Sequence, residues 1–265
     1  MAPTKIPENT VLMPILGGIG FKRSRPAYSW KTFLLQRLVN LRPGIFADVG
    51  VNLGQTLIDL RLVHPDKEYL GFEPNPECVN YVNTLIRINR YSTCTVVACG
   101  LSDKMGVVTL YLHRGKTTDD CATILKDLRP GRRFDIKYVP VLKFDEIKDT
   151  FGSKPIGFIK IDVEGAELEV LSGMRRKIIL DRPLILCEVL FTDKKADLAD
   201  TKARNEMLMN LLSECDYTAW QLLKSGDQVT KVKKIETFES AYWTPFNANL
   251  CDYLFIPQEH QQAVL

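Results

Sequence analysis

Four stretches of this chain carry residue types and spacings that could do chemistry. The first is Asp48-Val49-Gly50-Val51-Asn52-Leu53-Gly54-Gln55, where an apolar run hands over to a helical pattern. Its small residues would let a ligand approach the backbone closely, and helix N-terminal amides would face that ligand. The second is Glu73, twenty-five residues after Asp48, in Gly71-Phe72-Glu73-Pro74-Asn75-Pro76. An acid at the end of a second strand can accept both hydroxyl hydrogens of a ribose. Asp48, Gly50, Asn52, Gly54 and Glu73 therefore read together as a nucleoside-binding crevice, the plainer alternative being a tight strand–helix turn. The third stretch, Cys99-Gly100-Leu101-Ser102-Asp103, offers Gly100, Leu101 and Ser102 to an adenine, although Ser102-Asp103 equally reads as a turn. The fourth is Lys160-Ile161-Asp162-Val163-Glu164, taken together with Cys187-Glu188 at the end of the next apolar run. Alternation puts Lys160 and Asp162 on one side of a strand. A carboxylate there could take a proton from an acceptor, with Lys160 orienting it or merely pairing with it. Asp162, Glu188 and Lys160 are the catalytic candidates, and Asp162 also counts among the cofactor-binding ones. Glu164 and Glu167 read more simply as acids at a helix start.

The nucleoside is not a dinucleotide. G-x-G-x-x-G fails here, because Gly50, Asn52 and Gly54 alternate with Val51 and Leu53. Nor is there a second domain to bring a hydride acceptor. A cofactor without a pyrophosphate fits better, and S-adenosylmethionine is the common one. Asp48 would then meet its methionine part and Glu73 its ribose. A divalent ion between Asp162, Glu188 and Asn249 is a further option, but spacing does not establish that geometry, so no metal residue is assigned.

These residues need elements to position them. Short apolar, β-branched runs predict strands over Ile45–Val49, Tyr69–Phe72, Thr95–Ala98, Gly157–Ile161 and Leu184–Val189. Helical periodicity predicts Tyr28–Leu41, Gln55–Val63, Pro76–Asn89, Ala166–Leu180 and Ala203–Cys215 between them. Asn75-Pro76-Glu77 is a strong helix start. The alternation implies an α/β fold with a mostly parallel sheet covered on both faces. Residues 107–112 and 137–142 read as extra strands around a polar loop, 113–136, a plausible acceptor-side lid. Tyr217–Leu223 and Cys251–Ile256 read as strands joined by a long loop, 224–249, a route that lets the final strand run antiparallel.

Asp48-Val-Gly-Val-Asn-Leu-Gly-Gln, Phe72-Glu-Pro-Asn-Pro, Gly100-Leu-Ser-Asp and Ile159-Lys-Ile-Asp-Val-Glu-Gly-Ala-Glu occur in that order. Together they resemble the FkbM family of S-adenosylmethionine-dependent methyltransferases. The resemblance covers residues 45–257, is strongest in 45–76, 96–112 and 156–174, and leaves 1–44 as an N-terminal arm and helix and 258–265 as a tail. It implies a single Rossmann-like class I methyltransferase domain, with a seven-stranded sheet whose last strand is antiparallel. It also implies O-methylation of a hydroxyl on a sugar, glycolipid or secondary metabolite.

Composition narrows the alternatives. The 265 residues are 45% hydrophobic and 25% charged, which excludes a disordered or low-complexity chain. A net charge of +3 is too mild to imply nucleic acid. A nucleic-acid methyltransferase would have to use Lys22/Arg23/Arg25 and Arg129/Arg132/Arg133, and no N-P-P-Y motif accompanies them. A non-catalytic cofactor-binding module is the third reading. Seven scattered cysteines without C-x-x-C behave as small hydrophobes, which suits a reducing, cytoplasmic compartment. No apolar run reaches the ~18 residues of a membrane span. The acceptor is expected to be a small molecule or glycan, and oligomeric state is not legible.

Overall fold

The computed structural model describes residues 11–16, 19, 28–125, 133–151, 154–192, 198–244 and 247–264. Its centre is β1 (Ile45–Val49), continued on one side by β2 (Tyr69–Phe72) and β3 (Cys94–Val97) and on the other by β7 (Ile156–Ile161) and β8 (Leu184–Glu188). All five run parallel. The chain first builds outward from β1 to β3, then returns to β1 and builds the other way. The β1–β7 seam is therefore the switch point, where open α/β sheets form a ligand crevice at the carboxyl ends of the strands.

Alternation sorts the side chains by face. Ile45, Ala47, Val49, Phe72, Ile159, Ile161, Ile185 and Cys187 pack with α5 (Glu167–Gly173), α6 (Arg175–Asp181) and α7 (Leu198–Glu214). Phe46, Tyr69, Phe158, Leu184 and Leu186 face α1 (Trp30–Leu38), α2 (Gln55–Val63) and α3 (Pro76–Asn89). Asp48 and Lys160 share the parity of Phe46 and Phe158, so the strand pattern drives two ionisable groups into the second face.

The sheet has eight strands, not seven. Beyond β8 lie β11 (Asp252–Pro257), antiparallel, then β9 (Tyr217–Ser225) and finally β10 (Gln228–Ile235). The expected antiparallel last strand is thus β11. The extra strand comes from the segment expected to be loop: a two-residue turn at Gly226-Asp227, with Gly226 at φ 57°, folds β10 back on β9. Lys231, Lys233 and Lys234 break the apolar alternation that would have signalled this strand, and all three are exposed.

Three helices also depart from expectation, the first being α1, confined to Trp30–Leu38 within the expected Tyr28–Leu41. The pattern over 166–180 divides into α5 and α6 at Met174, whose backbone (φ −106°, ψ 4°) leaves the helical region, just after Gly173, where a Cβ would fall 2.0 Å from the Ser102 carbonyl oxygen. The pattern from Ala203 begins earlier, at Leu198. Outside the main sheet, β4 (Gly100–Leu101), β5 (Gly106–His113) and β6 (Phe134–Leu142) form a separate three-stranded sheet with its own small core of Leu110, Leu112 and Val139. The remaining helical turns are α4 (Phe144–Ile147) and α8 (Gln261–Val264). Among the described residues, no helix is long and apolar enough to cross a membrane.

Candidate active site

A cavity of about 340 Å³ opens at the carboxyl ends of β1, β2 and β7, within the size range of small-molecule sites. Gly50, Asn52, Glu73, Gly100, Leu101, Lys160, Asp162 and Glu188, all expected site residues, line it. The other three lie elsewhere. Asp48 is fully buried beneath the turn, accepting from Tyr69 OH at 2.6 Å. Gly54, at φ 79°, lets α2 pass α3: a Cβ would stand 3.0 Å from Leu85. Ser102 is buried with its hydroxyl on Asp103. Gly50 itself serves the fold as well as a ligand. Its φ is 83°, and a Cβ would lie 1.8 Å from the Asp162 carbonyl oxygen, which crosses directly over it.

Glu73 is held by its own backbone surroundings. Oε2 accepts from the Asn52 N–H at 2.7 Å and Oε1 from the Asn75 N–H at 2.8 Å. Asn52 reaches this position in the left-handed region, at φ 49°, which asparagine tolerates better than most residues. Burial pushes the Glu73 carboxyl up to about 7, against the two amides, which favour its anion. An ionised carboxylate offers about four lone-pair sites, so two backbone bonds leave capacity for ligand hydroxyls.

Across β1, the charged groups form a different kind of cluster. Lys160 Nζ donates to the Gly50 carbonyl at 2.8 Å and stands 3.4 Å from Asp48 Oδ1 and 3.3 Å from Asp162 Oδ2. Burial alone would discourage its charge, but Asp162 and Asp48 outweigh that and raise its pKa. Burial likewise raises Asp48, with Lys160 and Tyr69 opposing. Asp162 continues the β1–β7 ladder through its N–H to Val49 O at 3.0 Å, and its side chain is 31% exposed, open to the cavity. Burial opposes its ionisation, yet Lys160, Lys31 and a hydrogen bond from Glu188 together hold its pKa low. Glu188 is driven the other way, by burial first and then by the charges of Asp162 and Asp252. The two carboxyls titrate as a pair, with Glu188 held toward its neutral form and Asp162 toward its anion.

Carboxylate oxygens of Asp162, Glu164 and Glu188 lie within 4.8 Å of one another. Glu164 therefore belongs to this cluster rather than only to a helix start, while Asn249, the third ligand that the sequence suggested, is exposed. Glu167 is in the first turn of α5 as expected, but buried, and burial lifts it to about 8 although it accepts from Gly165 N–H at 2.8 Å.

The second sheet and residues 119–124 of the polar loop roof the cavity. Asp119, Asp120, Cys121, Ala122 and Ile124 line it. Asp119 accepts from the His113 N–H at 2.7 Å and pairs with His113 Nδ1 at 2.8 Å. Thr123 donates to the Glu164 carbonyl at 2.7 Å, fastening the loop to the end of β7. Lys137 joins β6 to the start of α3 through Asn75 Oδ1 at 2.9 Å and through Glu77. Arg129 and Arg132, like Lys22, Arg23 and Arg25, lie outside the described residues, and Arg133 is exposed. Lys31 of α1 and Gln55 and Thr56 of α2 also line the cavity. Sequence reasoning missed all three as site residues. Gln55 directly follows the glycine turn and could have been flagged, but nothing around Lys31 marks it.

The FkbM methyltransferase domain model matches residues 48–219. The chain belongs to this family. Methyltransferase sdnD of Sordaria araneosa is 28% identical over 200 residues, covering 59% of this chain and 74% of that protein. The 31-O-demethyl-FK506 methyltransferase FkbM of Streptomyces tacrolimicus is 29% identical over 168 residues, covering 53% of this chain and 63% of that one. The crystal structure of methyltransferase FkbM from Methylobacillus flagellatus superposes with a TM-score of 0.49 at 20% identity, over 81% of this chain and 43% of that chain. The chain thus spans less than two thirds of the Streptomyces protein and less than half of the crystallised one. Family membership supports methyl transfer from S-adenosylmethionine.

Proposed function

We propose that this FkbM-family chain is an S-adenosylmethionine-dependent O-methyltransferase acting on a hydroxyl of a sugar, glycolipid or secondary metabolite. Residues 45–257 are its catalytic unit, to which Lys31 of α1 adds a group on the cavity wall. The observation that carries the reading is the Asp162 carboxylate, open to the cavity and paired with Lys160, beside Glu188 at the switch point and across β1 from Glu73. The site fits the donor. Glu73 has lone pairs left for two ribose hydroxyls, and Leu101, Val141 and Ile124 offer an apolar slot for an adenine.

When bound, S-adenosylmethionine supplies an electrophilic methyl group on a sulfonium. The chain has to align an acceptor for in-line displacement and exclude water. Asp162 accepts the acceptor's O–H hydrogen bond and takes the proton, which becomes strongly acidic as the oxygen is alkylated, so even a carboxylate of lowered pKa suffices. Glu188, neutral, steadies Asp162 by donation. Lys160 is a positioning residue: it locks Asp162 to the Gly50 turn. Because Lys160 already pairs with Asp162, we read the reaction as independent of a divalent ion at Asp162, Glu164 and Glu188. Full activity after exhaustive chelation is expected, and its loss with recovery on adding Mg²⁺ would reverse that assignment. The hydroxyl acceptor has support in the Streptomyces relative, whose name gives an O-demethyl compound as substrate. The seven free thiols suit a cytoplasmic setting.

The test has two parts. Calorimetry of the pure protein should show binding of S-adenosylmethionine or S-adenosylhomocysteine, and binding of neither sinks the reading. Radiolabelled methyl transfer into a metabolite pool should occur with the parent and vanish in Asp162→Ala that still binds the cofactor. Label appearing in RNA or DNA instead would favour the nucleic-acid alternative, and binding without any transfer would favour a non-catalytic module.

A further inference from the structure

The nucleoside end of the cavity is furnished by Glu73 and the Asn52 amide, but the other end contains two polar groups that the mechanism above does not use. Lys31, in the first turn of α1, lines the cavity and exerts its charge on Asp48, Asp59 and Asp162. Among the described residues its ammonium makes no hydrogen bond or ion pair, and it stands 5.8 Å from the centre of the Trp30 ring. The other cation on the wall, Lys160, is already committed to Gly50, Asp48 and Asp162. Gln55, at the first turn of α2, holds its Oε1 fully buried with no partner among the described residues. A buried acceptor left unpaired is costly, and Gln55 lines the cavity, so the orphan points to a donor supplied by a ligand. One wall thus presents an uncommitted cation and an unsatisfied acceptor, the complement of a zwitterion.

We propose that Lys31 and Gln55 form the subsite for the amino-acid end of the methyl donor, Lys31 binding its α-carboxylate and Gln55 Oε1 accepting from its α-ammonium. The proposal rests on the S-adenosylmethionine reading above. The placement of α1 is fixed: Ser29 caps it and Thr32, the residue after Lys31, donates to Asp59 of α2 at 2.9 Å, so Lys31 and Gln55 ride on two helices tied together. Lys31 precedes residue 48, where the family match begins, so the arm completes the cofactor site instead of merely covering a sheet face.

The test compares two ligands by calorimetry on the full chain: S-adenosylhomocysteine, which carries the amino-acid end, and 5′-methylthioadenosine, which lacks it. The parent should bind the first more tightly. Lys31→Met, which keeps the apolar stem, should weaken S-adenosylhomocysteine about 10- to 100-fold, as expected for a lost charge-assisted bond, while leaving 5′-methylthioadenosine within about twofold. Lys31→Arg should restore most of the loss. An unchanged S-adenosylhomocysteine affinity in Lys31→Met overturns the inference, as does an equal loss for both ligands, which would mark a structural role. A parent that binds neither ligand overturns the cofactor reading itself, a different outcome from either.

Discussion

Two carboxylate groups on either side of β1 survive burial by opposite means. Glu73 is held by backbone amides of the two turns that flank it, and its pKa rises only to about 7. Asp162 is held by side chains, Lys160 and Glu188, whose charges and proton can redistribute. Backbone donors are fixed by the fold and cannot follow a reaction, whereas a lysine and a second carboxyl can. The Glu73 side suits an unchanging role, gripping a nucleoside, and the Asp162 side suits one in which a proton changes hands.

The hardest blow to this division falls on the seam itself. Gly50→Ala would put a methyl group into the Asp162 carbonyl at a left-handed φ, so we expect destabilisation of more than about 3 kcal/mol; a thermal melt within a degree of the parent's would show that the seam is not fixed. Next, Asp162→Asn should cut kcat by about 10²–10⁴-fold with cofactor affinity little changed, read from single-turnover rates and calorimetry. Glu73→Gln should leave the rate at saturation nearly intact while weakening S-adenosylhomocysteine about 10- to 100-fold, because its NH₂ would face a backbone N–H. If instead the Glu73 variant loses kcat and the Asp162 variant loses affinity, the two sides have been assigned the wrong way round.

The pH dependence sharpens the same contrast. Ribose hydroxyls donate, so they prefer ionised Glu73. With its pKa raised to about 7, affinity for S-adenosylhomocysteine should climb as pH rises from about 6 to 8, by roughly tenfold, and Glu73→Gln should flatten that slope. The smallest effect is expected from Glu188→Gln, which still donates to Asp162 and should keep kcat within about tenfold; a loss as deep as that of Asp162→Asn would make Glu188 the proton acceptor.

Much of this is legible in the chain. Strand alternation alone puts Lys160 and Asp162 on one side, and they form an ion pair. The acid after the second strand, Glu73, lies in the cavity because parallel strands end at one edge. Other features depend on contacts that no local pattern encodes. Asp48 belongs to the same motif as Gly50 but has the opposite fate, since it still lies inside β1, where sharing the parity of Phe46 turns it toward Tyr69, whereas Gly50 lies past the strand's end. Gly54 and Gly50 look alike in the turn, yet one accommodates α3 and the other a carbonyl from β7. Lys31 arrives from α1, whose docking is decided by Thr32 and Asp59, twenty-seven residues apart. The eighth strand is hidden because its lysines disguise it as loop.

Those lysines have a further consequence. A parallel-rich sheet ends in a row of open backbone groups that would accept a strand from any passing chain. At β10 that row is guarded by Lys231, Lys233 and Lys234, so a second copy approaching edge to edge would bring its own three ammonium groups against these. Like charges directly opposite oppose pairing. The hairpin thus ends the sheet on a lysine-bearing edge, which disfavours pairing with a second copy.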